Sequence, residues 1–198
     1  MPQLLTVGHG TLEQASFVSL VAGAGITDLV DVRRFPGSRR HPHFATEAMQ
    51  RWLPGAGIDY RWESRLGGRR RLDEADRDAD PWWTVEAFRA YAAHTRTPEF
   101  AEGLGEVLAA GSGPGSGPGE TAVMCSESLW WRCHRRLIAD VAVLLHHLPV
   151  LHLAHSGRLT AHIPAAGARV TRDGLRYDGP RDVPAPGSVA HDAAEPEV

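Results

Sequence analysis

The sequence contains no lysine; all 21 of its basic residues are arginine. Catalysis through a lysine Schiff base is thereby excluded, and the one amine left for such chemistry is Pro2, should Met1 be removed. A coding bias toward arginine is enough to explain the absence. Cysteine is nearly as scarce, with Cys125 and Cys133 the only two. No apolar run approaches the roughly 20 residues that cross a bilayer. The opening "MPQLLTVGHG" has no basic segment ahead of an apolar one, so no export signal is expected. The expected setting is cytoplasmic and thiol-reducing, with no membrane partner and no Cys125–Cys133 disulfide.

With 198 residues, 42% hydrophobic and 23% charged, the chain suits a single globular domain with a sizeable core. The net charge of −3 argues weakly against nucleic acid, but the charge is unevenly spread. Residues 31–71 hold ten arginines against four acids, a local +6, and residues 72–120 reverse this to −7. A basic patch on an acidic molecule follows.

Apolar periodicity predicts strands at 3–8, 26–33, 58–62, 121–125 and 150–154, alternating with helices. The helices are "LEQASFVSLVAGAG" with Thr11 as N-cap, "TEAMQRWLPGAG", two in "TVEAFRAYAAHTRTPEFAEGLGEVLAAG", and one over 131–148. Between them, "ESRLGGRRRLDEADRDADPWW" is a long polar loop of the kind that carries function or is disordered. "GSGPGSGPGE" (111–120) is a flexible insertion within a domain spanning 1–164, and the Pro-, Gly- and Asp-rich residues 165–198 read as a loose tail. The alternation predicts a three-layer α/β fold, Rossmann-like, with a mostly parallel sheet and helices on both faces. Ligands in such sheets sit beyond the carboxyl ends of the strands. Gly8-His9, Asp31-Val32-Arg33 and Cys125-Ser126-Glu127 all fall there.

The segments "TVGHGT", "LVDVRRFPGSRR", "LGGRR", "TPEF" and "MCSESLWWRCHRRLIAD" together resemble the bacterial family of the domain of unknown function 488, over about residues 4–154. The Cys-x-Glu…Cys-His-Arg block is the most specific part. The first motif more usually reads Gly-His-Ser, so Gly10 departs from it and lacks a hydroxyl. The resemblance implies an α/β fold and a shared pocket, and supplies no reaction.

Three chemistries compete at this predicted crevice. Cys125, Cys133 and His134, with His9 or water as a fourth ligand, form a metal set for zinc or iron. Against it, the spacing lacks paired C-x2-C hooks, and neighbouring residues at a helix start point about 100° apart. A thiolate nucleophile at Cys125 is the second, lowered by the next helix's dipole and by Arg132 or Arg135. It has a distant rhodanese-like look, but C-x6-R is one residue too long for that anion loop, and Glu127 repels an anion. Packing is the bland alternative for both thiols, most of all for Cys133. Third, Asp31 or Glu127 activates water, with His9 orienting it or acting as acid; a salt bridge to Arg33 or Arg39 would occupy Asp31 instead, and helix capping would occupy Glu127.

Arg33, Arg39, Arg40, Arg69, Arg70 and Arg135 supply forks for phosphate, and Trp130 and Trp131 offer faces for bases. A solvated basic loop and ordinary core tryptophans would look the same. The leading expectation is an enzyme on a nucleotide or nucleic-acid base, a hydrolase or transferase of DNA-repair or nucleotide-processing type. The bond attacked is N-glycosidic or phosphate-linked, and no cofactor is required. The alternatives are a cysteine thiol enzyme and a non-enzymatic metal- or nucleic-acid-binding module.

Overall fold

Strands covered on both faces read as near-continuous apolar runs, and Leu4–Gly8 (β1), polar only at Thr6, is buried at every position. In the computed structural model, which describes residues 2–37, 40–110 and 119–180, β1 is one of five parallel strands. The others are Ile26–Asp31 (β2), Asp59–Trp62 (β3), Glu120–Cys125 (β4) and Val150–Leu153 (β5); Leu159–Ala161 (β6) adds an antiparallel edge. The order is β3-β2-β4-β1-β5-β6, so β4 lies between β1 and β2.

Helices Gln14–Gly23 (α1) and Thr46–Trp52 (α2) cover one face, burying Phe17, Val21 and Met49 against Leu5, Val7 and Leu29. Helices Glu86–His94 (α3), Pro98–Ala110 (α4) and Arg135–His146 (α5) cover the other, where Tyr91, Phe100, Leu104, Leu137 and Val141 meet Val30 and Val123. The three-layer α/β fold is as the alternation predicts. Helix α1 starts later than expected, at Gln14, with Glu13 rather than Thr11 at its N-cap. Among the described residues, no helix is long and apolar enough to cross a membrane.

The strand ends are zipped together past the sheet. Gly8 pairs with Cys125 and Asp31 with Met124, and the backbone N–H groups of His9, Gly10 and Val32 then donate to the carbonyls of Cys125, Ser126 and Met124. Gly8 is required here: a Cβ would lie 1.9 Å from the Glu127 carbonyl oxygen. The loop after β4 can fold over β1 only because β1 ends in a residue without a side chain.

The loose tail expected from residue 165 gives way, up to residue 180, to structure. Ala168–Thr171 (β7) and Gly174–Tyr177 (β8) form a hairpin that buries Leu175 and Tyr177 in the α5-side core. The Tyr177 hydroxyl donates to Asp140 Oδ2 at 3.0 Å, and its backbone N–H donates to Asp80 Oδ1 at 2.9 Å. The signal was the Asp173-Gly174 pair between Val170 and Leu175, a short hairpin pattern easily lost in a polar segment. Leu175→Ala should therefore lower stability by about 2–5 kcal/mol in urea unfolding; a loss near zero would place the hairpin outside the core. Residues 111–118 of the Gly/Pro-rich insertion, and 181–198 of the expected tail, lie outside the described residues.

Candidate functional site

A crevice of about 800 Å³ opens at the carboxyl ends of β1, β2 and β4. His9, Arg33 and the Cys125–Glu127 turn form one side, Trp131–His134 the floor, and Gly68, Arg69 and the α3 residues Phe88 and Tyr91 the far wall.

At the floor, Cys125 Sγ, Cys133 Sγ and a ring nitrogen of His134 lie within 4.8 Å of one another. The expected 100° divergence of Cys133 and His134 does not arise, because neither is yet inside the helix. A 3-10 turn at Trp130–Arg132 ends in an extended Cys133 (φ −123°, ψ 152°), and α5 begins only at Arg135. His134 Nε2 lies 3.0 Å from the Val32 carbonyl oxygen and so carries the proton, leaving the Nδ1 lone pair 3.6 Å from Cys133 Sγ and 3.9 Å from Cys125 Sγ. Gly68 packs over this nitrogen, where an added Cβ would come within 2.8 Å of it.

Arg135, expected to hold phosphate, is 1% exposed and turned inward. Its Nε donates to Cys133 Sγ at 3.4 Å, its Nη1 to Thr6 Oγ1 at 3.4 Å, and its Nη2 to the Glu127 carbonyl. The two thiols differ as a result. Burial raises Cys133, but the neighbouring Cys125 and the Arg135 guanidinium outweigh it and bring the thiol down. The neighbouring Cys133, with burial added, pushes Cys125 up. Of the two, Cys133, which accepts from the Arg135 guanidinium, is the more acidic thiol, whereas the strand-end argument favours Cys125.

Behind Arg135 runs a buried chain. Thr6 Oγ1 is 2.7 Å from His152 Nδ1, His152 Nε2 is 2.9 Å from His162 Nδ1, and His162 Nε2 is 2.8 Å from Asp140 Oδ1. The contacts run without a break from the buried Arg135 guanidinium to the buried Asp140 carboxylate, so two distant buried groups share one hydrogen-bonded network. Trp130, expected as a base platform, is used up here: its ring stacks on His152 at 3.9 Å and 6°.

Burial, with His162 and Arg135 nearby, lowers His152 to about 2, and burial with the Arg33 charge lowers His9 to about 3. Both stay neutral in the folded protein while the unfolded chain takes up protons below the ordinary imidazole value of 6.5. The unfolded state then binds more protons, so stability should fall as pH drops from 6.5, by up to about 1.4 kcal/mol per pH unit for each histidine. Urea unfolding at pH 7 and pH 5 measures this; equal stabilities would contradict the buried neutral imidazoles.

Asp31 does not face the crevice. It is fully buried, and its oxygens accept from the Arg33 backbone N–H at 3.0 Å, Arg33 Nε at 2.8 Å and Tyr60 Oη at 2.7 Å. Arg33 is held in return, its Nη2 donating to the Phe44 carbonyl at 2.7 Å. His9 stacks on Phe44 at 4.1 Å; its Nδ1 donates to the Gly10 carbonyl, and its Nε2 faces Arg33 Nη1 at 3.3 Å. Both ring nitrogens are thus occupied, and His9 has no proton placed to give to a ligand.

Arg70 also departs from expectation. It ties its own loop, donating to the carbonyls of Gly67, Ser64 and Arg65 and pairing with Glu99. Arg40, Arg69 and Trp131 do line the crevice, while Arg39 lies outside the described residues. Arg34, Arg132, Phe88 and Tyr91 join the lining. The sequence does not single out Phe88 and Tyr91, because a helical aromatic reads as core; "LGGRR" is the better clue, since paired glycines mark close backbone approach.

Glu127 remains. Its Oε1 accepts from the Leu129 backbone N–H at 3.1 Å, and Oε2 takes no hydrogen bond among the described residues. One oxygen fixes the side chain and the other is available to the crevice.

A family model, Domain of unknown function DUF488, matches residues 13–142. No curated protein and no solved structure matches the chain. The matched span takes in Asp31, Cys125, Glu127, Cys133 and His134, and leaves out His9 and His152.

Proposed function

We propose that this chain, which belongs to the family of the domain of unknown function DUF488, is a hydrolase or transferase acting on a nucleotide or nucleic-acid base. The observation that carries the reading is the composition of the crevice. A part-buried carboxylate with a spare oxygen, Glu127, shares it with Arg34, Arg69 and Arg132, which have no ion pair among the described residues. Phe35 and Trp131 stand at the same crevice, 66% and 48% exposed, as faces on which a base can stack. Arginine forks suit phosphate, and the crevice volume suits a ligand of nucleotide size.

In the proposed reaction Glu127 accepts a proton from water as the water oxygen bonds to the anomeric carbon or to phosphorus. The bond to the leaving nitrogen or oxygen breaks with its electron pair, and Glu127 returns the proton to that leaving atom. Asp31, Arg33 and His9 hold the wall in shape and take no proton.

The test is incubation with nucleotides and with single-stranded oligonucleotides carrying ordinary and modified bases, followed by chromatography for free base and phosphate. We expect product from one of these classes, with KM raised in Arg69→Ala and Arg132→Ala and kcat less affected. Salt-dependent binding without product would make the chain a binding module. Absence of both binding and product would refute the reading.

A further inference from the structure

The floor of the crevice carries a second inference. We propose that Cys125, Cys133 and His134 hold one zinc ion, with its fourth position facing the crevice. Tetrahedral zinc, with sulfur at about 2.3 Å and nitrogen at about 2.0–2.1 Å, sets ligand-to-ligand edges of about 3.6 Å for S···N and about 3.8 Å for S···S. The S···N distances here are 3.6 and 3.9 Å, and all three ligand atoms lie within 4.8 Å of one another, so the sulfurs need to close by no more than about 1 Å.

The surroundings are those a metal ligand requires. Ligating imidazoles almost always donate their other N–H to a carbonyl or carboxylate, and His134 does so to Val32. That bond fixes the tautomer that turns a lone pair toward both sulfurs. Arg135 donates to Cys133 Sγ, a hydrogen bond that a zinc-bound thiolate can keep. Two thiolates cancel the charge of Zn²⁺, and each thiol gives up its proton to solvent on binding. Sulfur and imidazole ligands select zinc over magnesium or calcium, which take oxygen.

Three protein ligands with an open position is the catalytic rather than the structural layout. The fourth ligand is then a water at the crevice floor, and zinc makes it acidic enough to supply hydroxide near neutral pH. Glu127 lines the same crevice and is not in the ligand set. Two thiolates and an imidazole on zinc, with a glutamate outside the ligand set as acid and base, is an inventory used elsewhere for hydrolysis on nucleobases. Identifying this water as the nucleophile rests on the hydrolytic reading above; the metal site itself does not.

The experiment uses the untagged full chain, stripped with a chelator under reducing conditions and titrated with Zn²⁺ against a chromophoric competitor. Cobalt(II) is titrated in parallel. We expect one zinc per chain, thiols that stop reacting with a thiol reagent once zinc is bound, and a thiolate-to-cobalt charge-transfer band with intense tetrahedral visible bands. Cys125→Ser and His134→Ala should each weaken zinc by more than the about 10–100-fold that loss of an outer-shell partner costs. The cobalt spectrum of the unaltered chain decides the matter even where a variant fails to fold. No stoichiometric zinc and no charge-transfer band would overturn the site, as would undiminished affinity in both folded variants. Nucleotide binding is measured separately on the stripped protein, so a missing metal leaves the hydrolase reading to its own test. Bound zinc without turnover of any nucleotide would uphold the site and remove that reading.

Discussion

Replacing Asp31 by asparagine should cost roughly 3–5 kcal/mol of stability, because it strands a buried cation. The Arg33 side chain is 7% exposed, and the carboxylate beside it is fully buried. Asparagine keeps the shape and one acceptor oxygen, but it leaves the guanidinium without its counterion and puts an amide where Arg33 and Tyr60 both donate. Tyr60→Phe, which removes one hydrogen bond and no charge, should cost about 1 kcal/mol. Urea unfolding of both variants makes the comparison. Should Asp31→Asn unfold like the parent and lose only turnover, Asp31 would be a base at the crevice and the account of its burial would fail. The loss should also reach the crevice, since Arg33 holds the edge of His9 at 3.3 Å and lines the wall itself.

That distinction between wall and working group is where a reading of the sequence stops. Strand periodicity and the position of ligands in parallel sheets bring Gly8, Asp31 and Cys125 to one end of the sheet, and the register of β1, β2 and β4 has them there. What a strand end does not reveal is which way its side chain turns. Asp31 and Arg33, two residues apart, fold onto each other, whereas Glu127 keeps an oxygen open because its partner is the local Leu129 N–H. Cys133 and His134 converge because one residue is extended, a backbone detail that helical spacing hides. The chain from Arg135 through Thr6, His152 and His162 to Asp140 joins residues up to 146 apart in sequence, so no local pattern could announce it. Arginines are the hardest to assign: Arg70 and Arg135 serve loop and core, and Arg69 serves the crevice, with nothing in their neighbours to separate them.

Glu127→Gln should lower kcat by about 10²–10⁴ while leaving the unfolding midpoint where it is. The size follows from removing a positioned base, about 3–5 kcal/mol of barrier at 1.36 kcal/mol per tenfold. The unchanged stability follows from geometry: the glutamine carbonyl can still accept from the Leu129 N–H, and the other oxygen has no protein partner to lose among the described residues. KM should move little, because the arginines that hold the substrate are untouched. The comparison with Asp31→Asn is the sharp one, since two carboxylates at neighbouring strand ends are assigned opposite roles. One variant should be stable and inactive, the other unstable. If Glu127→Gln keeps full turnover, the carboxylate is only a turn cap, and the proton must be taken by another group at the floor of the crevice.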